Sequence, residues 1–261
     1  MPSDSIAFDR AAEYYDETRG FPPGEEKGVA GAIRRAGGFT SSSGVLEIGV
    51  GTGRIALPLA AHIGMLVGID LARPMMARLR AKQINEPIYL AQADATRLPF
   101  ARHVFDAVVA VHVFHLIPNW QGVLSELARV LKPGGVVVHG WSKADPVFET
   151  LWDAWRAVIP SKQAEDVGVR WERNPTILVE QGWKTAGEEY WHNYSYTQTP
   201  ARFVERLGSR MWSQTWRLTD DELAAGIAAV QEVIRRDFPN PDEPRQVTAM
   251  FHVRAYTPPS P

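Results

Sequence analysis

Leu46-Glu47-Ile48-Gly49-Val50-Gly51-Thr52-Gly53-Arg54 decides the reading of this chain. Residues 45–50 are nearly all apolar and read as a buried strand, and a helical pattern over residues 53–62 follows. The glycines between them run G-x-G-x-G. A turn this tight needs residues without Cβ, both for positive φ and for close approach of the backbone to a ligand. The helix behind it would point free N–H groups and partial positive charge at that ligand. A dinucleotide site would show G-x-G-x-x-G, but Arg54 and Ile55 follow Gly53 and no glycine comes next. Glu47 stands just before the turn, where a buried acid can accept from an ammonium group. Both features point away from a pyrophosphate and toward a smaller, cationic ligand.

Working outward, residues 65–70, 88–92, 105–113 and 136–141 are further apolar runs that read as strands covered on both faces. Helical patterns over 74–83 and 120–131 alternate with them, which implies βαβ units and a parallel sheet. Lys132-Pro133-Gly134-Gly135 is a sharp stop between the last of these helices and the strand after it. Residues 4–17 and 24–36 read as two helices ahead of the sheet, joined to it by the linker 37–44. The second strand ends at Asp70, where an acid can accept two ribose hydroxyls; the alternative is a helix-capping Asp before Arg73-Pro74. The third strand ends Gln92-Ala93-Asp94-Ala95, and Asp94 is placed either to meet an adenine amino group or to serve a turn. Open α/β sheets bind ligands at such strand ends.

The second half changes character: eight of the nine tryptophans fall between residues 141 and 216. Residues 148–158, 176–181, 201–207 and 219–236 read as helices, the last opened by the capping-box pattern Thr219-Asp220-Asp221-Glu222. Residues 184–197 and 246–256 alternate as strands do. The reading divides the chain into N-terminal helices (1–40), a ligand-binding core (41–145), an aromatic helical cap with one core strand at about 184–197 (146–240), and a final edge strand (241–261). The alternative for the aromatic block is a second helical layer with its own core.

At 261 residues the chain is long enough for one or two domains at about 150 residues each. The hydrophobic share of 45% and charged share of 22% are those of an ordinary folded domain, which argues against disorder. With 28 basic and 30 acidic residues, no broad cationic field exists to hold nucleic acid or an anionic membrane. The absence of cysteine removes disulfides, thiolate nucleophiles and thiolate-ligated metals. No metal-ligand spacing stands out, so no metal is expected. No apolar run approaches the roughly 18 residues of a membrane span, and the charged N-terminus has no signal-peptide core. The expectation is a cytoplasmic protein.

LEIGVGTGR, GID, QADATRLPF, FDAVVAVHVFHL and VLKPGGVVV, in that order over about residues 40–142, resemble the class I S-adenosylmethionine (SAM)-dependent methyltransferases. The likeness is to the small-molecule branch that contains the ubiquinone and menaquinone C-methyltransferases. Tyr14-Tyr15-Asp16-Glu17-Thr18-Arg19 resembles the Tyr-Asp-x-x-Arg segment ahead of the sheet in many such enzymes. The resemblance implies a Rossmann-like seven-stranded sheet with the last strand antiparallel, helices on both faces, and a helical insert before that strand. It implies SAM as cofactor and S-adenosylhomocysteine as product. Gly49, Gly51 and Gly53 would line the methionine part, with Glu47 at its amino end. Asp70 would hold the ribose, with Leu71 and Met75 or Met76 against the adenine and Asp94 and Ala95 at its edge. Val111 and His112 would present backbone near the methionine. Tyr15 and Arg19 would close over the cofactor, Arg19 pairing its carboxylate.

His112-Val113-Phe114-His115 stands where amino-methylating nucleic-acid and protein-glutamine enzymes carry an Asn/Asp-Pro-Pro-aromatic motif, which argues against those substrates. Pro58 falls inside the helix after the glycine turn and should bend it. The implied reaction is in-line methyl transfer to a small-molecule acceptor. The cofactor carries the difficult chemistry; the protein aligns the reactants and excludes water, and alignment is worth up to roughly 7–11 kcal/mol. His115 is the candidate base, its alternative being a structural histidine. Trp141, Tyr190, His192 and Tyr194 are candidate pocket residues. The competing functions are a SAM-binding, non-catalytic sensor or partner subunit, a nicotinamide-dependent oxidoreductase, which the glycine spacing disfavours, and an aminopropyl transferase, for which no acid-rich pocket is seen. A monomer or weak homodimer is expected.

Overall fold

The apolar runs become β1 (Gly44–Ile48), β2 (Met65–Asp70), β3 (Ile88–Gln92), β4 (Phe105–Val111) and β5 (Leu131–Ala144). The later alternating stretches become β6 (Lys184–Gln198) and β7 (Arg245–Thr257). This is a computed structural model, and it describes residues 8–9, 12–144, 146–159, 168–170 and 173–259. Part of the expected helix over 4–17, and Trp171, lie outside the described residues; within them the segment is helical over Tyr15–Arg19, here α1.

The seven strands form one sheet in the order β3-β2-β1-β4-β5-β7-β6, with six strands parallel and the last antiparallel. β7 therefore sits between β5 and β6. The expectation that it forms the edge is corrected: the edge belongs to β6, which is more polar and more exposed along its length. β7 buries Val247, Ala249, Phe251, Val253 and Ala255 at alternate positions, so one of its two faces is covered.

β1 lies between β2 and β4, with Ile48 beside Ile69 on one side and Ala110 on the other. That register brings three strand ends together. The helix after β4, α5 (Trp120–Val130), is capped by the Asn119 side chain, which accepts from the Gly122 N–H at 3.1 Å. It buries Trp120, Val123, Leu124, Leu127 and Val130, spacings of three and four that put one apolar stripe on the sheet. Its stop is where the Lys-Pro-Gly-Gly stretch predicts. Leu131 pairs with Phe105, and the next pair is Val136 with Ala107, so Lys132–Gly135 bulge out of the ladder. α2 (Glu25–Gly37) buries Val29, Ala30, Ala32 and Ile33. α3 (Ala56–Ala60) is only five residues long and has Pro58 at its centre, shorter than the sequence pattern suggests. The proline offers no N–H to continue the ladder. α4 (Arg73–Lys82) buries Met75, Met76 and Leu79.

The chain divides into two compact units. The first holds Met1–Ser142, Val167–His192 and Phe251–Pro261, including α7 (Ile177–Glu180). The second holds Lys143–Asp166 and Asn193–Met250. It contains α6 (Glu149–Val158), α8 (Pro200–Gly208) and α9 (Asp220–Asp237). The capping box forms at the head of α9, with the Thr219 and Glu222 side chains each accepting from the other's backbone N–H. Phe148, Trp155, Phe203 and Phe238 build the core of this unit, with Trp152 and Trp212 packed against it.

Candidate functional site

The ends of β1, β2 and β4 and the residues following β3 enclose a cavity of about 840 Å³ including its mouth. That lies within the ordinary range for a small-molecule site. Its floor is the glycine turn. Gly49, Gly51 and Gly53 have φ of 69°, 54° and 83°, in the left-handed region where a Cβ is disfavoured. Of the three, Gly49 and Gly51 face the cavity. A Cβ on Gly53 would come within 2.5 Å of the Leu79 side chain, so Gly53 serves the packing of the turn against α4.

Asp70 organises the turn. Its Oδ2 accepts from the Gly51 N–H and its Oδ1 from the Ala72 N–H, both at 2.8 Å. Burial pushes its pKa up, and the backbone donors oppose that shift. The carboxylate locks the turn while its edge lines the cavity. Glu47 is only 3% exposed, and its Oε2 has no hydrogen-bond partner among the described residues. Burial drives its pKa well above the ordinary carboxylate range; the Arg54 charge opposes the shift and Asp70 adds to it. A buried acid without a donor is a costly group unless a ligand supplies one.

Arg54 and His112 also line the cavity. Arg54 donates from Nη2 to His112 Nδ1 at 2.6 Å and from Nη1 to the Arg19 carbonyl at 2.6 Å. Because arginine only donates, Nδ1 must accept, and the imidazole proton is on Nε2, 3.1 Å from Ser142 Oγ. Burial and the Arg54 charge push the His112 pKa well below its ordinary value, which fits this neutral tautomer. His112 has φ 51°, so its backbone is in a strained turn conformation that the side-chain bonds hold.

α1 lies beside this turn and buries no residue of its own. Polar contacts fasten it. Asp16 Oδ1 accepts from Thr52 Oγ1 at 2.5 Å, and Oδ2 pairs with Lys82 Nζ at 2.9 Å. The Arg54 guanidinium lies 4.9 Å over the Phe21 ring just beyond α1. Between these anchors Tyr15 reaches the cavity wall, its ring edge-on to Phe8 at 5.7 Å.

Of the residues expected at the site, Tyr15, Glu47, Gly49, Gly51, Asp70, Leu71, Met75, Asp94, Ala95, Val111 and His112 line one cavity. Asp94 Oδ1 also accepts from the Thr96 N–H and hydroxyl, each at 2.8 Å, so its turn role and its place in the wall coexist. Arg19 is not in the wall; its carbonyl holds Arg54, and its charge depresses the pKa of both His112 and His115. His115 is corrected as a base. It stands in the turn Phe114–Leu116, outside the cavity wall, and burial with the Arg19 charge brings its pKa to about 3, where it has little affinity for a proton at neutral pH.

Trp141, Tyr190, His192 and Tyr194 are likewise outside the wall. Trp141 is buried and stacks on His252 at 5.6 Å. Alternate residues of β6 turn to α2, where Tyr190 lies under Arg35 and His192 Nε2 meets Glu25 Oε2 at 2.6 Å. Tyr194 belongs to the second unit and stacks on Tyr196. Sequence reading missed Phe8, Thr52, Arg54, Leu116 and Ile117 in the wall. Thr52 and Arg54 were signalled by their places in the turn itself; the others carry no local signal.

A family profile described as a methyltransferase domain matches residues 46–139. A demethylmenaquinone methyltransferase of Streptomyces avermitilis is 34% identical over 230 residues, 85% of this chain and 90% of that protein. A phosphatidylethanolamine N-methyltransferase of Cereibacter sphaeroides is 42% identical over 111 residues, 40% of this chain, and the match spans 54% of that relative. A solved structure from Bacillus halodurans C-125 shares the fold at a TM-score of 0.60 and 18% identity, covering 88% of this chain and 99% of that one.

Proposed function

Because the chain belongs to the class I SAM-dependent methyltransferases of the menaquinone C-methyltransferase-like kind, we propose that this cavity binds SAM and directs its methyl group to a small-molecule acceptor. The observation that carries the reading is the buried Glu47 with an unpartnered oxygen at the head of the glycine turn. It fits the ammonium of the cofactor's methionine part, which would supply the missing donors. Gly49 and Gly51 leave open backbone beside it. The edge of Asp70 is placed for ribose hydroxyls, and Leu71, Met75 and Ala95 offer an apolar slot for a flat base.

When bound, SAM supplies a methyl group on a positively charged sulfur, and transfer yields S-adenosylhomocysteine. Glu47, Asp70 and Asp94 bring three acids to a wall whose cation is Arg54, and a bound ammonium would favour the ionised form of Glu47, a balance that suits a cationic cofactor. Arg54 and the neutral His112 fix the wall near the methionine end. Tyr15, Phe8, Leu116 and Ile117 give the lining the aromatic and apolar surface that would exclude water from the transfer path.

The two relatives are named for different acceptors, a quinone precursor and a lipid amine. Because those names differ, the acceptor is assigned only as a small molecule. The near-balanced charge supports a protein that works without nucleic acid, and a cytoplasmic monomer or weak homodimer completes the proposal. None of the described helices is long and apolar enough to cross a membrane. Isothermal titration with S-adenosylhomocysteine tests the reading. Binding of the wild type in the micromolar range, lost in Asp70→Ala and weakened in Asp70→Asn, is the expected outcome. Absence of saturable binding to the wild type, alone or with candidate acceptors, would overturn it.

A further inference from the structure

The second unit contains a cationic cluster that the methyl-transfer reading does not use. Arg156, Arg210, Arg235 and Arg236 of this unit each pair with a carboxylate. Arg206 on α8 does not, among the described residues. Its Nη1 donates to Gln198 Oε1 at 3.3 Å, a long bond to a neutral group, and its Nε is buried without a partner. Arg202 lies one turn earlier on the same face of α8, at the i, i+4 spacing. Tyr196 and Gln198, two apart on β6, face the same side. Tyr196 packs on the core of the unit, so the cluster has an apolar backing.

A guanidinium taken partly out of water, with a second guanidinium nearby and no carboxylate ion-paired to it among the described residues, is unfavourable by itself. Burial and the Arg202 charge both hold the Arg206 pKa below its ordinary value, and Glu205 opposes only weakly. Burial and Tyr194 push the Tyr196 hydroxyl up, so it remains a donor at neutral pH. The local inventory is therefore two guanidinium groups and a phenol as donors, against the Gln198 amide oxygen and the weakly acting Glu205 carboxylate. Such a set offers more hydrogen-bond donors than a carboxylate needs and matches the oxygens of a phosphate.

We propose that Arg206, Arg202 and Tyr196 form a phosphate-recognition site in the second unit, with Gln198 orienting Arg206. The site takes the phosphoryl group of a soluble phosphate ester or of a lipid headgroup. It is independent of the cofactor cavity, and its test reads binding without methyl transfer.

The experiment titrates the full chain with inorganic phosphate, glycerol 3-phosphate and acetate by calorimetry. Vesicles of phosphatidylcholine with and without phosphatidylglycerol are followed in parallel by cosedimentation. Saturable phosphate or glycerol 3-phosphate binding that weakens at least tenfold in Arg206→Gln, with acetate weaker than phosphate, supports the site and a soluble ligand. Vesicle binding that requires phosphatidylglycerol and is lost in the same variant supports a headgroup. Arg206→Lys should fall between, because it keeps the charge and loses the fork. Arg235→Gln removes the same charge from an exposed, paired position and should bind like the wild type. S-adenosylhomocysteine binding by Arg206→Gln reports that the variant is folded. Failure of every phosphate probe, or equal losses in Arg206→Gln and Arg235→Gln, would overturn the proposal.

Discussion

Replacing Glu47 by Gln separates what this residue does for the fold from what it does for the ligand. In the protein alone its carboxyl is 3% exposed with an orphan oxygen, and burial holds its pKa well above the ordinary range. An acid whose pKa is raised by folding binds its proton more tightly in the native state. Native stability therefore falls as pH rises from the unfolded value near 4.5 through the raised value, because the unfolded chain ionises first. The Glu47→Gln substitution removes that dependence and keeps the shape. At pH 7 the unliganded variant should melt at or above the wild-type temperature. A gain of about 1 kcal/mol would correspond to roughly 2–4 °C for a chain of this size. The ligand sees the opposite effect. A hydrogen bond to a charged partner contributes about 1.5–3 kcal/mol, so losing the carboxylate should weaken S-adenosylhomocysteine binding by roughly 10- to 150-fold. Calorimetry for affinity and a thermal melt without ligand, on both proteins at pH 5 and pH 8, make the comparison. Binding within twofold of the wild type would refute the ammonium assignment. A clear loss of melting temperature in the unliganded variant would show Glu47 to be structural instead.

His139 is buried in β5 with Nδ1 donating to the Ala110 carbonyl at 3.1 Å, and burial lowers its pKa to about 4. A depressed histidine contributes stability that is complete above its unfolded pKa near 6.5 and is lost as pH falls toward 4, up to about 3 kcal/mol. The decline in urea midpoint from pH 7 to pH 4 should be shallower in His139→Gln, and an equal decline would count against the shift. In the second unit, a Cβ at Gly226 would lie 2.4 Å from Trp155 Cζ3, where α9 crosses α6. Gly226→Ala should cost about 1–3 kcal/mol by overpacking, measured by denaturant titration, despite alanine's better helix propensity; a more stable variant would mean that Trp155 moves aside freely.

Much of the first unit was legible because its signals are local. Strand, glycine turn and helix follow one another within a few residues, and β2 (Met65–Asp70) and β3 (Ile88–Gln92) form over the same residues that their apolar runs mark. The acids at strand ends were readable because a parallel sheet brings successive carboxyl ends to one rim. The capping box before α9 is equally local, written in four consecutive residues. Residues whose role depends on distant partners were not legible. His115 has the right residue type beside the right strand, yet the turn Phe114–Leu116 leaves it outside the wall while Leu116 and Ile117 enter it. Tyr190 and His192 have chemistry that suits a pocket, but the alternation of β6 directs them to α2.

The sequence by itself determined the doubly wound sheet, the glycine turn and the acids around it, since periodicity and backbone sterics act within a few residues. Tertiary structure alone decided that β7 is interior and β6 the edge, because strand order reflects pairings between segments far apart in the chain. It also decided that Gly53 serves packing, that Arg54 fixes the tautomer of His112, and that Glu47 is left without a donor. Each of those facts depends on which distant atoms the fold brings within hydrogen-bond or van der Waals distance, and no local pattern encodes that distance.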